Sequence, residues 1–119
     1  MLVLTIKKKW FDMILSREKK EDYREIKTYY ETRFANVLFP KSEVTMDNVF
    51  LDYVSKFPNC KEFKAMFRNG YSKNSPSFIA KCTLSVGTGK EEWGAKKGKK
   101  YFILTIHEIV WENKKEREI

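Results

Sequence analysis

Phe78, Ala80, Cys82, Leu84 and Val86 recur at every second position, with Ser77, Lys81, Thr83 and Ser85 between them and Ile79 as the one apolar exception. Side chains alternate across a strand, so this pattern sets an apolar face against a core and a polar face toward water. A lysine-rich stretch punctuated by glycine, Gly87 to Lys100, comes next, and Tyr101 to Trp111 is then apolar on both faces, which suits a strand inside a sheet. Two such strands commit the chain to a sheet, and the other segments must fit around it. Phe63, Ala65 and Phe67 alternate with Glu62, Lys64 and Arg68, Met66 standing out of pattern, and Asn69-Gly70 supplies residues that tolerate positive φ in a tight turn. At the start, Leu2, Leu4 and Ile6 alternate with Val3, Thr5 and Lys7, which predicts a first strand over residues 2–7.

From Lys8 the spacing changes: Trp10, Phe11, Met13, Ile14 and Leu15 gather on one side of a helix. Residues 19–26, KKEDYREI, are charged at most positions, and Lys27 to Phe34 reads as a second short, aromatic helix. The stretch from Ala35 to Pro58 carries the weakest signals, with a helix predicted over Asp47 to Phe57, capped by Thr45 or Asp47. The tail from Glu112 to Ile119 mixes its charges and is expected to fray. With no repeat and no linker, 119 residues make one domain, a β-rich α+β unit over 1–119.

Charge narrows the partners. Lys and Arg number 24 against 16 Asp and Glu, a formal charge of +8, which favours polyanions through phosphate contacts and counterion release. Cys60 and Cys82 form no CxxC, and His107 is the one histidine, so no zinc site or disulfide framework can be read; the cysteines are expected to be reduced and buried, and His107 structural. The opening MLVLTIKKKWF reverses the order of a signal peptide, and no apolar run approaches ~18 residues, so the expectation is a cytoplasmic protein without a membrane partner.

Several residues are candidates for binding. Tyr71, Ser72, Lys73, Asn74 and Ser75 form a polar loop whose aromatic ring could stack a base while its neighbours bond the base edges, although a plain loop explains it equally. The run from Gly87 to Lys100 holds Lys90, Lys96, Lys97, Lys99 and Lys100 around Trp93, with glycines that permit close backbone approach to a strand of nucleic acid. Neither GxxxxGK[ST] nor GxGxxG occurs there, so no nucleotide-hydrolysing or dinucleotide motif is present and no cofactor is implied. Taken alone, Lys19, Asp22 and Arg24 read as an exposed ion-pair cluster on a strand, worth little in stability.

The segment LTIKKKWFDMI from Leu4 to Ile14, followed by SREKKEDYREIK from Ser16 to Lys27, resembles the start of an ASCH domain, a family with the signature GxKxxExR. Lys19 and Arg24 stand at the signature's lysine and arginine, whereas Arg17 stands at its glycine and Asp22 at its glutamate. The later blocks Phe67 to Phe78, Gly87 to Gly94 and Tyr101 to Ile106 are similar to small ASCH proteins of Gram-positive bacteria and their phages, so the resemblance covers most of the chain outside residues 36–60. It implies a PUA-like mixed β-barrel with short helices over its openings, and a cleft into which Lys19 and Arg24 project. There a guanidinium fork and an ammonium suit phosphate. Arg17, Asp22 and Tyr23 complete the expected lining, Arg17 at the negative end of the first helix. The leading expectation is thus a binding module for RNA or a nucleotide, with DNA as a lesser partner. A metal-independent hydrolase acting on acylated nucleosides or RNA, with Lys19 and Asp22 catalytic, is the alternative. A phage accessory protein that captures a host factor is a third. Asp22 is one methylene shorter than the signature's glutamate, and this departure together with Arg17 in place of glycine favours binding over catalysis.

Overall fold

The computed structural model describes residues 1–40 and 49–113. Alternation sets the frame. Strand β3 (Phe63–Arg68) buries Phe63, Ala65 and Phe67, and β4 (Ser77–Thr88) buries Phe78, Ala80, Cys82 and Leu84 on the same side. Strand β5 (Lys100–Asn113) turns Phe102, Leu104 and Ile106 to that side. Strand β1 (Leu2–Thr5) lies parallel to β3, β2 (Glu21–Glu25) antiparallel to β5, and the order across the sheet is β1-β3-β4-β5-β2.

Three helices cover the apolar face. Helix α1 (Lys8–Leu15) inserts Phe11 and Ile14, α2 (Thr28–Leu38) inserts Phe34, Ala35 and Leu38, and α3 (Val49–Lys56) inserts Phe50 and Val54. Phe102 is the point where these layers meet, its ring centroid 5.2 Å from Phe34 and 6.1 Å from Phe50, while Phe78 lies 5.1 Å from Phe11. Such aromatic contacts dominate burial in a small domain. On the opposite face Tyr101 and Ile103 are buried near β2, Tyr101 packing 5.7 Å from Tyr23 and accepting the Lys96 N–H of the β4–β5 connection, and Thr83 is buried farther along β4. No helix among the described residues is long and apolar enough to cross a membrane.

The sheet corrects the expected barrel. Strands β1 and β2 are its two edges and do not pair, so it is an open five-stranded mixed sheet. Strand β1 also stops at Thr5 rather than Lys7, because Lys7 takes extended backbone and becomes the N-cap of α1. Helix α2 runs on past Phe34 to Leu38, since Ala35 and Leu38 continue its buried stripe. Strand β4 extends to Thr88 into what reads as loop. Helix α3 spans Val49–Lys56, and its expected caps Thr45 and Asp47 lie outside the described residues, as does the tail beyond Asn113. Glu112 itself is in β5, paired with Phe78. Cys82 is buried as expected, but Cys60 is exposed, its Sγ 3.0 Å from the Tyr53 hydroxyl.

Apolar character on both faces of β5 is used only from Tyr101 to Leu104, all four buried, because β2 pairs no further than Thr105. Beyond that point the ladder slips twice, leaving His107 and Val110 without a residue opposite on β4. These bulges twist the exposed end of β5, one way a sheet edge avoids pairing with another chain.

Candidate functional site

The charged segment after α1 is built around a turn that few residues adopt. Ser16 closes the helix, and Arg17 follows at φ 71, in the left-handed region, its N–H donating to Ile14 O at 3.0 Å. Glycine is the usual occupant of that position after a helix. The turn delivers Lys19 inward: the Lys19 N–H donates to Met13 O at 2.9 Å, and the residue keeps only 2% of its surface exposed.

Lys19 therefore does not belong to an exposed ion-pair cluster. Its Nζ donates to Glu21 O at 2.5 Å and to Trp93 O at 3.0 Å, and it lies over the rings of Trp10 at 5.2 Å and Tyr23 at 4.8 Å. Burial pushes its amine down to about 8, against the opposing pull of Asp22, with Arg24 adding to the fall. Three separated segments close this chamber. Trp10 comes from α1, Tyr23 from β2 and Trp93 from the short 3-10 turn Glu91–Trp93.

Glycine makes that closure possible. A Cβ at Gly89 would fall 2.5 Å from the Tyr23 ring, and one at Gly94, already at φ +104, would fall 3.0 Å from Trp10. Tyr23 is pinned as well as covered, its hydroxyl donating to Glu21 Oε1 at 2.7 Å and accepting from the Lys90 N–H at 2.9 Å. Burial holds that phenol well above its ordinary value.

Asp22 and Arg24 share the opposite side of β2, facing the helices. Arg24 Nε donates to Asp22 Oδ2 at 2.7 Å with both side chains largely buried, and Arg24 Nη1 donates to the Tyr30 hydroxyl at 3.2 Å. Burial alone pulls the guanidinium down, but Asp22 and Tyr30 together outweigh it and hold Arg24 above its ordinary value. Removing one partner of so enclosed a pair leaves the other charge uncompensated.

Beside this pair opens a cleft of about 520 Å³. Thr5, Ile6 and Lys7 form one wall, Asp22, Tyr23 and Arg24 the other, and Trp10 and Tyr71 stand at its rim with Asn69 and Gly70. The cleft thus lies between the two unpaired edges of the sheet. Tyr71 is 90% exposed, an aromatic face free to meet a ligand.

The structure brings together four of the sequence candidates, Asp22, Tyr23, Arg24 and Tyr71, in this lining. Lys19 sits behind Trp10 and Tyr23 instead of lining the cleft. Arg17 points elsewhere, its Nη2 donating to His107 O at 3.3 Å. Lys73 and Asn74 are exposed in the β3–β4 turn, and Ser75 packs under Gly70. Lys90 lies over Trp93 at 4.5 Å, while the exposed Lys96 gives its backbone N–H to the Tyr101 hydroxyl and Lys97 is exposed beside it. His107 meets Thr83, Nε2 to Oγ1 at 2.8 Å, in keeping with a structural role. Sequence reading missed Lys7, Trp10, Asn69 and Tyr30. Trp10 carried the one available signal, a large ring on a helix directly after three lysines. Among the described residues no group of three or more His, Cys, Asp or Glu is placed to hold a metal ion.

No family model, curated protein or solved structure matches this chain.

Proposed function

We propose that this protein is an RNA- or nucleotide-binding module of the ASCH type, holding its anionic ligand in the cleft between β1 and β2. The observation that carries the reading is the enclosed Asp22–Arg24 pair in a cleft of about 520 Å³ that also bears Lys7 and two aromatic rings, Trp10 and Tyr71. Arg24 and Lys7 suit phosphate, the rings suit a base, and the Asp22 carboxylate suits an exocyclic amino group. A net charge of +8 adds long-range attraction. The turn at Arg17 supports the family reading, because the ASCH signature has glycine where this backbone is left-handed.

Filter binding of single-stranded RNA, structured RNA and DNA tests the proposal. Micromolar or tighter binding that falls steeply with added salt, and falls at least tenfold in Arg24→Ala or Tyr71→Ala, is expected. Absence of binding at low salt rejects it.

One observation favours a second reading, a hydrolase of acylated nucleosides or RNA: the Lys19 amine, lowered to about 8, is partly neutral near physiological pH. Incubation with N4-acetylcytidine and with labelled RNA checks this. Turnover that survives Lys19→Ala excludes Lys19 from the chemistry.

A further inference from the structure

The cleft has a neighbour. A cavity of about 470 Å³ opens between α1 and the β3–β4 turn, with Phe11, Leu15 and Pro76 on its apolar side and Lys8, Asp12 and Ser16 on its polar side. Asn69 lines both spaces, so the two adjoin at that side chain. Its amide is already engaged, Nδ2 donating to Ile6 O at 2.9 Å, which fixes it as a partition.

The start of α1 stands at the same junction. Lys7 and Trp10 face the cleft, and Lys8 and Phe11 face the second cavity. No side chain caps this helix, and its first turn has no acidic residue. The first N–H groups of a helix lack internal partners and, with the positive end of the dipole, favour an anion. Two lysines reinforce that preference. The Lys8–Asp12 ion pair, 2.8 Å long, is exposed, and exposed pairs are weak enough for both groups to turn to a ligand.

We infer that the two cavities are adjacent base subsites, so that the ligand is a single-stranded oligonucleotide of at least two residues whose linking phosphodiester sits at the uncapped start of α1. This rests on the reading of the cleft as a nucleotide site and extends it to a substrate class. Both volumes fall within the ~300–1,000 Å³ usual for ligand pockets. Phe11, Leu15 and Pro76 offer an apolar wall to a base face, and Asp12 accepts from the amino group of adenine or cytosine. A duplex is unsuitable, because paired bases stay stacked and cannot enter separate cavities.

Calorimetric titration of the full chain with adenosine 3′-monophosphate and with the dinucleoside monophosphate ApA tests this. The monoester carries more negative charge than the diester, so tighter binding of ApA has to come from its second base. An affinity for ApA at least tenfold above that for the mononucleotide is expected, and Ser16→Phe, which fills the second cavity from an exposed position, should bring the ratio close to one. Lys7→Asp should weaken ApA at least tenfold while raising Tm, since it caps α1 with its own carboxylate. That opposite movement of stability and affinity separates lost contact from lost fold. Equal affinities for the two ligands, or an ApA advantage that survives both variants, overturn the second subsite and leave the nucleotide reading standing. If neither ligand binds at low salt, the nucleotide reading fails and this inference with it.

Discussion

Arg17 and Lys19, two residues apart, show how differently a charged side chain can be used. Arg17 holds a left-handed backbone, which disfavours non-glycine residues by ~1–2 kcal/mol, and its one long hydrogen bond to His107 is exposed. Arg17→Gly is therefore expected to stabilise the fold by up to about 1 kcal/mol in urea denaturation, after the greater flexibility of unfolded glycine is subtracted. A loss of stability would show that the His107 contact outweighs the backbone strain. Lys19 answers to pH. Its folded value of about 8 lies below the ordinary 10.5, so between those values the unfolded chain holds more protons and stability rises with pH. Tyr23 and Cys82 act the other way, both raised by burial and so losing stability as pH climbs past their ordinary values. Comparing wild type with Lys19→Met cancels those two contributions. The stability of wild type relative to Lys19→Met should increase between pH 7.5 and 9.5, and a flat difference would mean that the amine is better solvated than its surroundings suggest. Neither residue's role was legible in the sequence, because burial of a lysine depends on rings that lie far apart along the chain.

At the scale of elements, legibility followed period. Strands β3, β4 and β5 and helix α1 were readable because one side of each is apolar at the spacing its geometry requires. Strand β2 carries Glu21, Asp22, Arg24 and Glu25, and its two sides are occupied by ion pairs and a tyrosine clamp instead of apolar residues, so alternation gave no sign of burial. The cleft was only half visible for the same reason: Asp22, Tyr23 and Arg24 were suggested by a motif, whereas Lys7 and Asn69 enter through the way β1, α1 and the β3–β4 turn converge. The β4–β5 connection looked like a loose, basic strand-tracking loop, yet it is a lid held against β2 by Tyr23, Lys90 and Lys19. Gly89→Ala tests the lid. With no space for a Cβ beside the Tyr23 ring, the substitution should destabilise by about 1–3 kcal/mol and increase near-ultraviolet signal changes from Tyr23 and Trp93. An unchanged unfolding midpoint would show that the lid yields freely.

Across the described residues, all three helices and four of the five strands supply buried residues to a single cluster, with Phe102 fully buried between α2 and α3. Phe102→Ala is expected to cost about 3–5 kcal/mol and to shift the unfolding of sheet and helices together, as followed by circular dichroism and tryptophan fluorescence. Separate transitions would divide the core. The fifth strand, β2, is tied in chiefly by its ladder to β5 and by polar contacts, and its free edge looks across the cleft at the end of β1. The sheet is in that sense an unfastened bracelet, with the cleft as the gap between its ends. An occupant gripping both ends acts as a clasp, and mass action then transmits its binding energy to every opening that requires the ends to part. Amides on β2, and on the stretch of β5 that it protects, would exchange more slowly when the clasp is shut, including those that no ligand touches.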